Sequence, residues 1–263
     1  MSQRLPALLG LLLTSCGAPA REAARPAASP APVGEAAPEH YHGHHPHHPP
    51  EGVPASSPAE QHGEQPPTAT HRFDDPERWS RIFDDPARDA WQRPKDVVER
   101  LALAPDDVVV DLGTGTGYFV PYLSRAVPRG RVIAVDVEPE LLRFVERRVA
   151  RDGLQNVVTR LADHDDAKLG ERVDVVLVVD AYHHIGQRTG YFKRLSRRLS
   201  ERGRVVVVDF KLGDFPVGPP DSHKLAPEIV EREFAAGGFS RCSGWDGLPY
   251  QYFLVFALRC QPS

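Results

Sequence analysis

The globular part of this chain predicts an α/β fold: a seven-stranded, mostly parallel sheet with an antiparallel last strand and helices on both faces. Three observations predict it. Short apolar runs recur at 108–112, 131–135, 157–161, 173–179, 204–209, 239–243 and 252–258. Helical periodicity fills the gaps, with Leu141, Leu142, Val145 and Val149 on one face and Phe192, Leu195 and Leu199 on another. A glycine-rich turn, Asp111-Leu112-Gly113-Thr114-Gly115-Thr116-Gly117, directly follows Val108-Val109-Val110. Strands apolar on both faces and separated by helices form a parallel sheet covered on both sides. The last two runs are joined by a short Gly/Trp/Pro stretch without a helix. Parallel neighbours need a crossover, so this pair should be antiparallel.

The sequence divides into four parts: 1–15, 16–71, 72–104 and 105–263. In the first, Arg4 precedes the mostly apolar run Leu5–Leu13, which is too short to span a membrane and reads as a signal peptide. Leu13-Thr14-Ser15-Cys16 resembles the bacterial lipobox. That resemblance implies an acylated Cys16, a membrane-anchored lipoprotein and export to the periplasmic side. Gly17 rather than Asp after the Cys favours the outer membrane. Residues 17–71 hold 12 Pro, 12 Ala and a net charge of −4, from 6 Glu and 2 Arg. Such a linker has too little apolar surface to offset its chain entropy and is expected to be disordered. Six histidines fall between His40 and His48, and weak metal affinity is expected of them. Proline interrupts the tract and no acid or Cys completes a geometry, so no defined metal site is expected there.

Residues 72–104 contain a short repeat. Phe73-Asp74-Asp75-Pro76 is echoed by Phe83-Asp84-Asp85-Pro86, and Trp79 and Trp91 follow the two copies. Asp before Pro is a helix start. Two short helices should therefore cap the main domain, packing their Phe and Trp on it, and a sharper reading has them close over a ligand. Residues 72–263 carry 29 basic and 30 acidic residues, a balance that gives no sign of a nucleic-acid partner. Arg147, Arg148 and Arg151, and Arg194, Arg197 and Arg198, read as solvated helix faces.

The glycine turn sits between an apolar strand and an amphipathic segment, and Asp136 ends the next apolar run. Glycines admit a ligand close to the backbone, and an acid at the second strand end can accept from ribose hydroxyls. A nicotinamide-binding domain wants G-x-G-x-x-G, but the sixth place from Gly113 is Tyr118 and the third glycine comes at 117. No Gly-Lys-Ser/Thr appears, which excludes a P-loop. From about Pro94 to Leu258 the chain resembles the class I S-adenosylmethionine-dependent methyltransferases, whose sheet is Rossmann-like. The carriers are Asp111–Gly117, Val135-Asp136, Leu161-Ala162-Asp163, Asp174–Asp180, Arg202–Val205 and Ala236–Phe239. The resemblance implies S-adenosyl-L-methionine as cofactor. It implies that Asp111 orients the methionine amino group and that Gly113, Gly115 and Gly117 let the turn pass against the cofactor. Asp136 should bind the ribose, Asp163 should accept from the adenine N6, and Ala162 and His164 should give backbone contacts. Asp180 should line the methionine end.

Methyl transfer from a sulfonium requires a nucleophile placed in line and, for some acceptors, relieved of a proton. Asp180-Ala181-Tyr182-His183-His184 leaves the fourth strand, where the resemblance puts the acceptor. His183 or His184 is the candidate base, with Asp180 beside them. The Gly/Pro-rich segment 210–220 with its two Phe should wall the acceptor pocket, and apolar walls suit a small molecule. An arsenite acceptor would call for several Cys, and the globular part has only Cys242 and Cys260, on the last two predicted strands. They can meet or stay apart. The signal and the cofactor's cytoplasmic origin pull against each other. Met1 is the only Met, so only a non-Met start upstream of Arg72 would give a cytoplasmic enzyme, and loss of catalysis would leave an exported binding module.

Overall fold

The computed structural model describes residues 75–261. The signal segment, the linker with Cys16 and the His40–His48 tract, and Phe73 and Asp74 of the repeat lie outside the described residues.

Seven strands form one sheet: β1 (Val108–Leu112), β2 (Arg131–Asp136), β3 (Val157–Leu161), β4 (Val173–Val179), β5 (Leu199–Phe210), β6 (Ser240–Trp245) and β7 (Gln251–Ala257). Their order is β3-β2-β1-β4-β5-β7-β6. The first five are mutually parallel. β7 runs antiparallel to both β5 and β6. Inserting β7 between β5 and β6 sets this sheet apart from the all-parallel dinucleotide-binding order. The order reverses between β1 and β4. Adjacent connections there leave to opposite sides and open a crevice at the carboxyl ends.

Alternate residues of the central strands feed two cores, as a sheet buried on both faces requires. Val109, Val132, Val175, Leu177 and Val206 face the helices α3 (Pro94–Arg100), α4 (Val120–Ala126) and α5 (Pro139–Arg151) through Val97, Leu123 and Val145. Val110, Ile133, Val176, Val178 and Val207 face α6 (Arg188–Leu195) and α7 (Pro227–Ala236) through Phe192, Leu195 and Phe234. In that second core the Phe234 ring stacks on Phe256 at 4.0 Å.

The cap begins as the Asp-Pro signal predicts. Asp75 accepts from the Arg78 N–H at 3.0 Å and Pro76 opens α1 (Pro76–Phe83). The second start slips. Asp85 accepts from Ala87 N–H at 2.8 Å in a turn, and α2 (Arg88–Gln92) begins two residues later.

Three expectations need correction. Leu199 is not on α6, which ends at Leu195; a 3-10 turn intervenes and Leu199 opens β5. Arg148 is not on a solvated face: it donates to Asp84 Oδ1 at 2.8 Å and to Thr116 O at 3.2 Å, tying α5 to the cap and to the glycine turn. Cys260 lies just past β7, and it forms a disulfide with Cys242 of β6. Among the described residues no helix is long and apolar enough to cross a membrane.

Candidate active site

The carboxyl edge of the sheet collects four acids: Asp111 in β1, Asp136 ending β2, Asp180 just past β4 and Asp209 in β5. Above the first two runs the glycine turn. Gly113 has φ +73°, and a Cβ there would stand 2.5 Å from the Ala181 Cβ. Only glycine lets this turn pass so close to the segment after β4. Gly115 and Gly117 also have positive φ, and at 117 a Cβ would press on Val145 of α5 at 3.2 Å. The Gly113 and Thr114 N–H groups both donate to Val135 O, at 2.8 and 2.9 Å. That anchors the turn to β2.

The two acids the sequence singled out beside this turn are both buried. Asp111 Oδ2 accepts from Thr114 Oγ1 at 2.7 Å. Burial raises its pKa to about 6, the Thr114 bond lowering it and the nearby Asp136 charge raising it. Asp136 accepts from the backbone N–H of Gly115 at 2.9 Å and of Glu138 at 3.0 Å. Burial still lifts its pKa, against those backbone bonds. Two buried carboxyls facing one cavity lack full compensation from the protein. That suits a ligand bringing hydroxyls and an ammonium.

That cavity measures about 740 Å³. The glycine turn, Asp136, Leu141 and Ala162-Asp163-His164 line one side, and His183, His184, Phe210 and Val217 the other. Cap residues Phe83, Arg88 and Trp91 complete it. Asp163 and His164 are exposed at its rim, and Asp163 pairs with Lys168 Nζ at 2.6 Å. All residues expected of the cofactor site line this cavity except Gly117, which supports the turn from behind.

Sequence reasoning missed the network around Asp180. This residue adopts φ +51°, a left-handed conformation uncommon outside glycine. Gln251 Nε2 donates to Asp180 Oδ1 at 2.6 Å and Arg88 Nη2 to Oδ2 at 3.3 Å. Gln92 and Gln251 are joined side chain to side chain at 2.8 Å and fully buried. Burial raises the Asp180 pKa to about 7, Arg88 pulling it down and Asp209 pushing it up. It also missed Asp209, whose two oxygens lie 3.0 and 2.9 Å from His183 Nδ1. The signal was available: Asp209 ends an apolar run, Val205–Val208, just as Asp136 does. Gln251, a lone polar residue opening an apolar strand, was a second such mark.

The His183 and His184 rings lie 4.3 Å apart, His183 buried and His184 half-buried. Burial alone would depress the His183 pKa. The Asp209 charge and hydrogen bond, with the Asp180 charge, outweigh burial and the opposing Arg188 and hold it above the usual value.

Residues 109–203 match the family model of a methyltransferase domain. The matched stretch runs from β1 into β5 and holds the glycine turn, Asp136, and the turn with His183 and His184. An arsenite methyltransferase from Halobacterium salinarum is 32% identical over 110 residues, which are 41% of this chain and 28% of that protein. The chain spans less than half the length of the curated relatives it matches, from 28% to 48%. A solved S-adenosylmethionine-dependent methyltransferase from Aquifex aeolicus superposes with a TM-score of 0.66 at 24% identity, over 69% of this chain and 97% of that one. Magnesium protoporphyrin IX methyltransferase from Synechocystis, solved with bound S-adenosylhomocysteine, gives 0.54 at 17% identity over 70% and 95%. At these identities the structures establish the methyltransferase fold.

Proposed function

We propose that this chain is an S-adenosylmethionine-dependent methyltransferase acting on a small-molecule acceptor. The observation that carries this reading is a single cavity joining the glycine turn and two buried acids to a histidine pair under an aromatic cap. Its volume lies in the range of small-molecule sites. When bound, the cofactor supplies an activated methyl on a sulfonium. Asp136 would hold the ribose hydroxyls, Asp111 the methionine ammonium, and Asp163 the adenine edge, with Ala162 and His164 beside it. Asp180, fixed by Arg88 and Gln251, would shape the methionine end, and His183 or His184 would take a proton from the acceptor. Arsenite gains no support from the described residues, because Cys242 and Cys260 are bonded to each other.

The purified chain should bind S-adenosylmethionine and its demethylated product with affinity on the order of micromolar by calorimetry. Asp136→Ala should weaken binding by about thirtyfold, two hydrogen bonds at roughly 1 kcal/mol each. No heat with either ligand would sink the reading, and heat with NAD would point to a dinucleotide enzyme. Binding without transfer to any acceptor would favour a module that has lost catalysis.

The proposal extends to location: a lipoprotein anchored through Cys16 on the periplasmic side. Its supports are the Leu13–Cys16 segment and the Cys242–Cys260 disulfide, a bond favoured in oxidising compartments.

A further inference from the structure

We propose that Asp209 is the positioning residue for His183 and that this pair relieves a phenolic or enolic acceptor of its proton. The inference rests on the methyltransferase reading above and names the acceptor class. His183 lies in the turn after β4 and lines the cavity, while Asp209 belongs to the neighbouring β5 and is fully buried. Asp209 Oδ1 also accepts from Phe210 N–H at 2.8 Å, which fixes the carboxylate. A carboxylate on Nδ1 holds the neutral ring as the Nδ1–H tautomer and puts its lone pair on Nε2. Burying such a pair is costly, and Val205 to Val208 of the same strand manage without polar groups.

The dyad says what it is suited to deprotonate. A carboxylate acceptor is already ionised and needs no base, and an aliphatic alcohol sets a histidine a much steeper proton transfer than a phenol does. A phenol ionises near pH 10, within a few units of a histidine held above its usual value. The walls agree. The Trp91 and Phe210 rings stand 5.7 Å apart, and Phe83 and Tyr118 line the same cavity, a lining that suits a flat ring. The acceptor O–H proton passes to His183 Nε2, and the oxygen lone pair bonds to the methyl carbon. The carbon–sulfur pair stays on sulfur as a neutral thioether, and the imidazolium later returns its proton to water.

The test uses the full chain, labelled S-adenosylmethionine, and phenol, 4-cyanophenol and 4-nitrophenol. Asp209 from β5, Asp180 after β4 and Arg188 from α6 set the His183 titration, and the His184 ring lies beside it. Tyr252 of β7 bears on both Asp209 and Asp180. The acid limb of the wild-type profile should keep one position across the series, above pH 6.5. Asp209→Asn should lower kcat on phenol by about a hundredfold, with KM little changed, and cost less on 4-nitrophenol. It should also move the acid limb to lower pH. Nitrogen-15 spectra of the His183 ring, assigned by difference with His183→Gln, should show the Nδ1–H tautomer in the wild type and a lower titration midpoint in Asp209→Asn. A limb that tracks each phenol's own pKa overturns the proposal. So does an Nε2–H tautomer, an unchanged kcat in Asp209→Asn, or transfer only to amines or thiols. If Asp209→Asn fails to fold, the wild-type limb and tautomer decide. Absence of cofactor binding by calorimetry would instead remove the methyltransferase reading itself.

Discussion

Asp111 carries a linkage that can be measured without any acceptor. Its folded pKa of about 6 exceeds the ordinary 3.8, so the folded chain binds the proton more tightly than the unfolded one. The contribution is fully present below pH 3.8 and is lost as pH rises through about 6. The shift corresponds to roughly 3 kcal/mol by pH 8. Asp111→Asn removes that cost and keeps an oxygen for Thr114. It should therefore raise the melting temperature at pH 8 and change it least near pH 4, while weakening cofactor binding at both. Equal destabilisation at the two pH values would show that the carboxylate serves the fold. Among individual residues, those on the glycine turn and the acid closing β2 were legible because backbone approach and strand-end position are written locally. Asp209 was harder to read, since its meaning depends on His183, 26 positions away in sequence and on the neighbouring strand's turn. Arg88 was harder still: it acts across 92 positions, from a helix whose own pattern looks like any amphipathic cap.

At the scale of elements, α1 is a lightly held part of the described cap. No residue of α1 is fully buried, and Ile82 is 54% exposed. Its Trp79 and Phe83 rings stack on each other within the helix and line the cavity, and Arg148 holds the Asp84 that follows it. Arg88 is the main tie of α2. Its guanidinium donates to Phe83 O at 3.0 Å, to Gln92 and to Asp180, and sits 4.3 Å from the Tyr118 ring centroid. Residues 76–92 should thus exchange amide hydrogens faster than α5 in the absence of ligand, and slow on addition of S-adenosylhomocysteine. Arg88→Met should speed that exchange further and weaken cofactor binding by about tenfold, because it leaves Asp180 with one donor fewer in a buried place. Arg88→Lys should not restore it, since one ammonium cannot replace a fork of donors. Exchange in 76–92 as slow as in α5, with or without ligand, would refute a closing cap. The sequence located all seven strands to within a few residues, except that β5 begins at Leu199. There the pattern misled for a physical reason. Leu199 sits at helical spacing from Leu195, yet Gly203 and the register shift against β4 let the chain turn into the sheet early. The second Asp-Pro signal failed likewise, because Asp85 capped a turn before the helix could begin.

For the whole molecule, the proposed anchor at Cys16 and the disulfide concern one question: in which compartment the domain works. The bond between Cys242 and Cys260 closes 18 positions of chain around the β6–β7 hairpin, holding the last strand's exit to an edge strand. A loop of that size should stabilise the fold by about 3 kcal/mol when oxidised. Cytoplasmic thiols are kept reduced, so the bond would persist only after export. Three acyl chains on Cys16 would hold the chain firmly where one would not. In its native host the protein should therefore sediment with membranes, partition into detergent, and resist alkylation at 242 and 260 until a reductant is added. Cys16→Ala should release it or leave it unprocessed, without changing its cofactor affinity. Cys260→Ser should leave the anchor intact and lower the melting temperature. A soluble protein with both thiols open to alkylation would place the domain in the cytoplasm beside its cofactor. Cys242 and Cys260 would then be free thiols in the working state, and the bond would contribute nothing to its stability there.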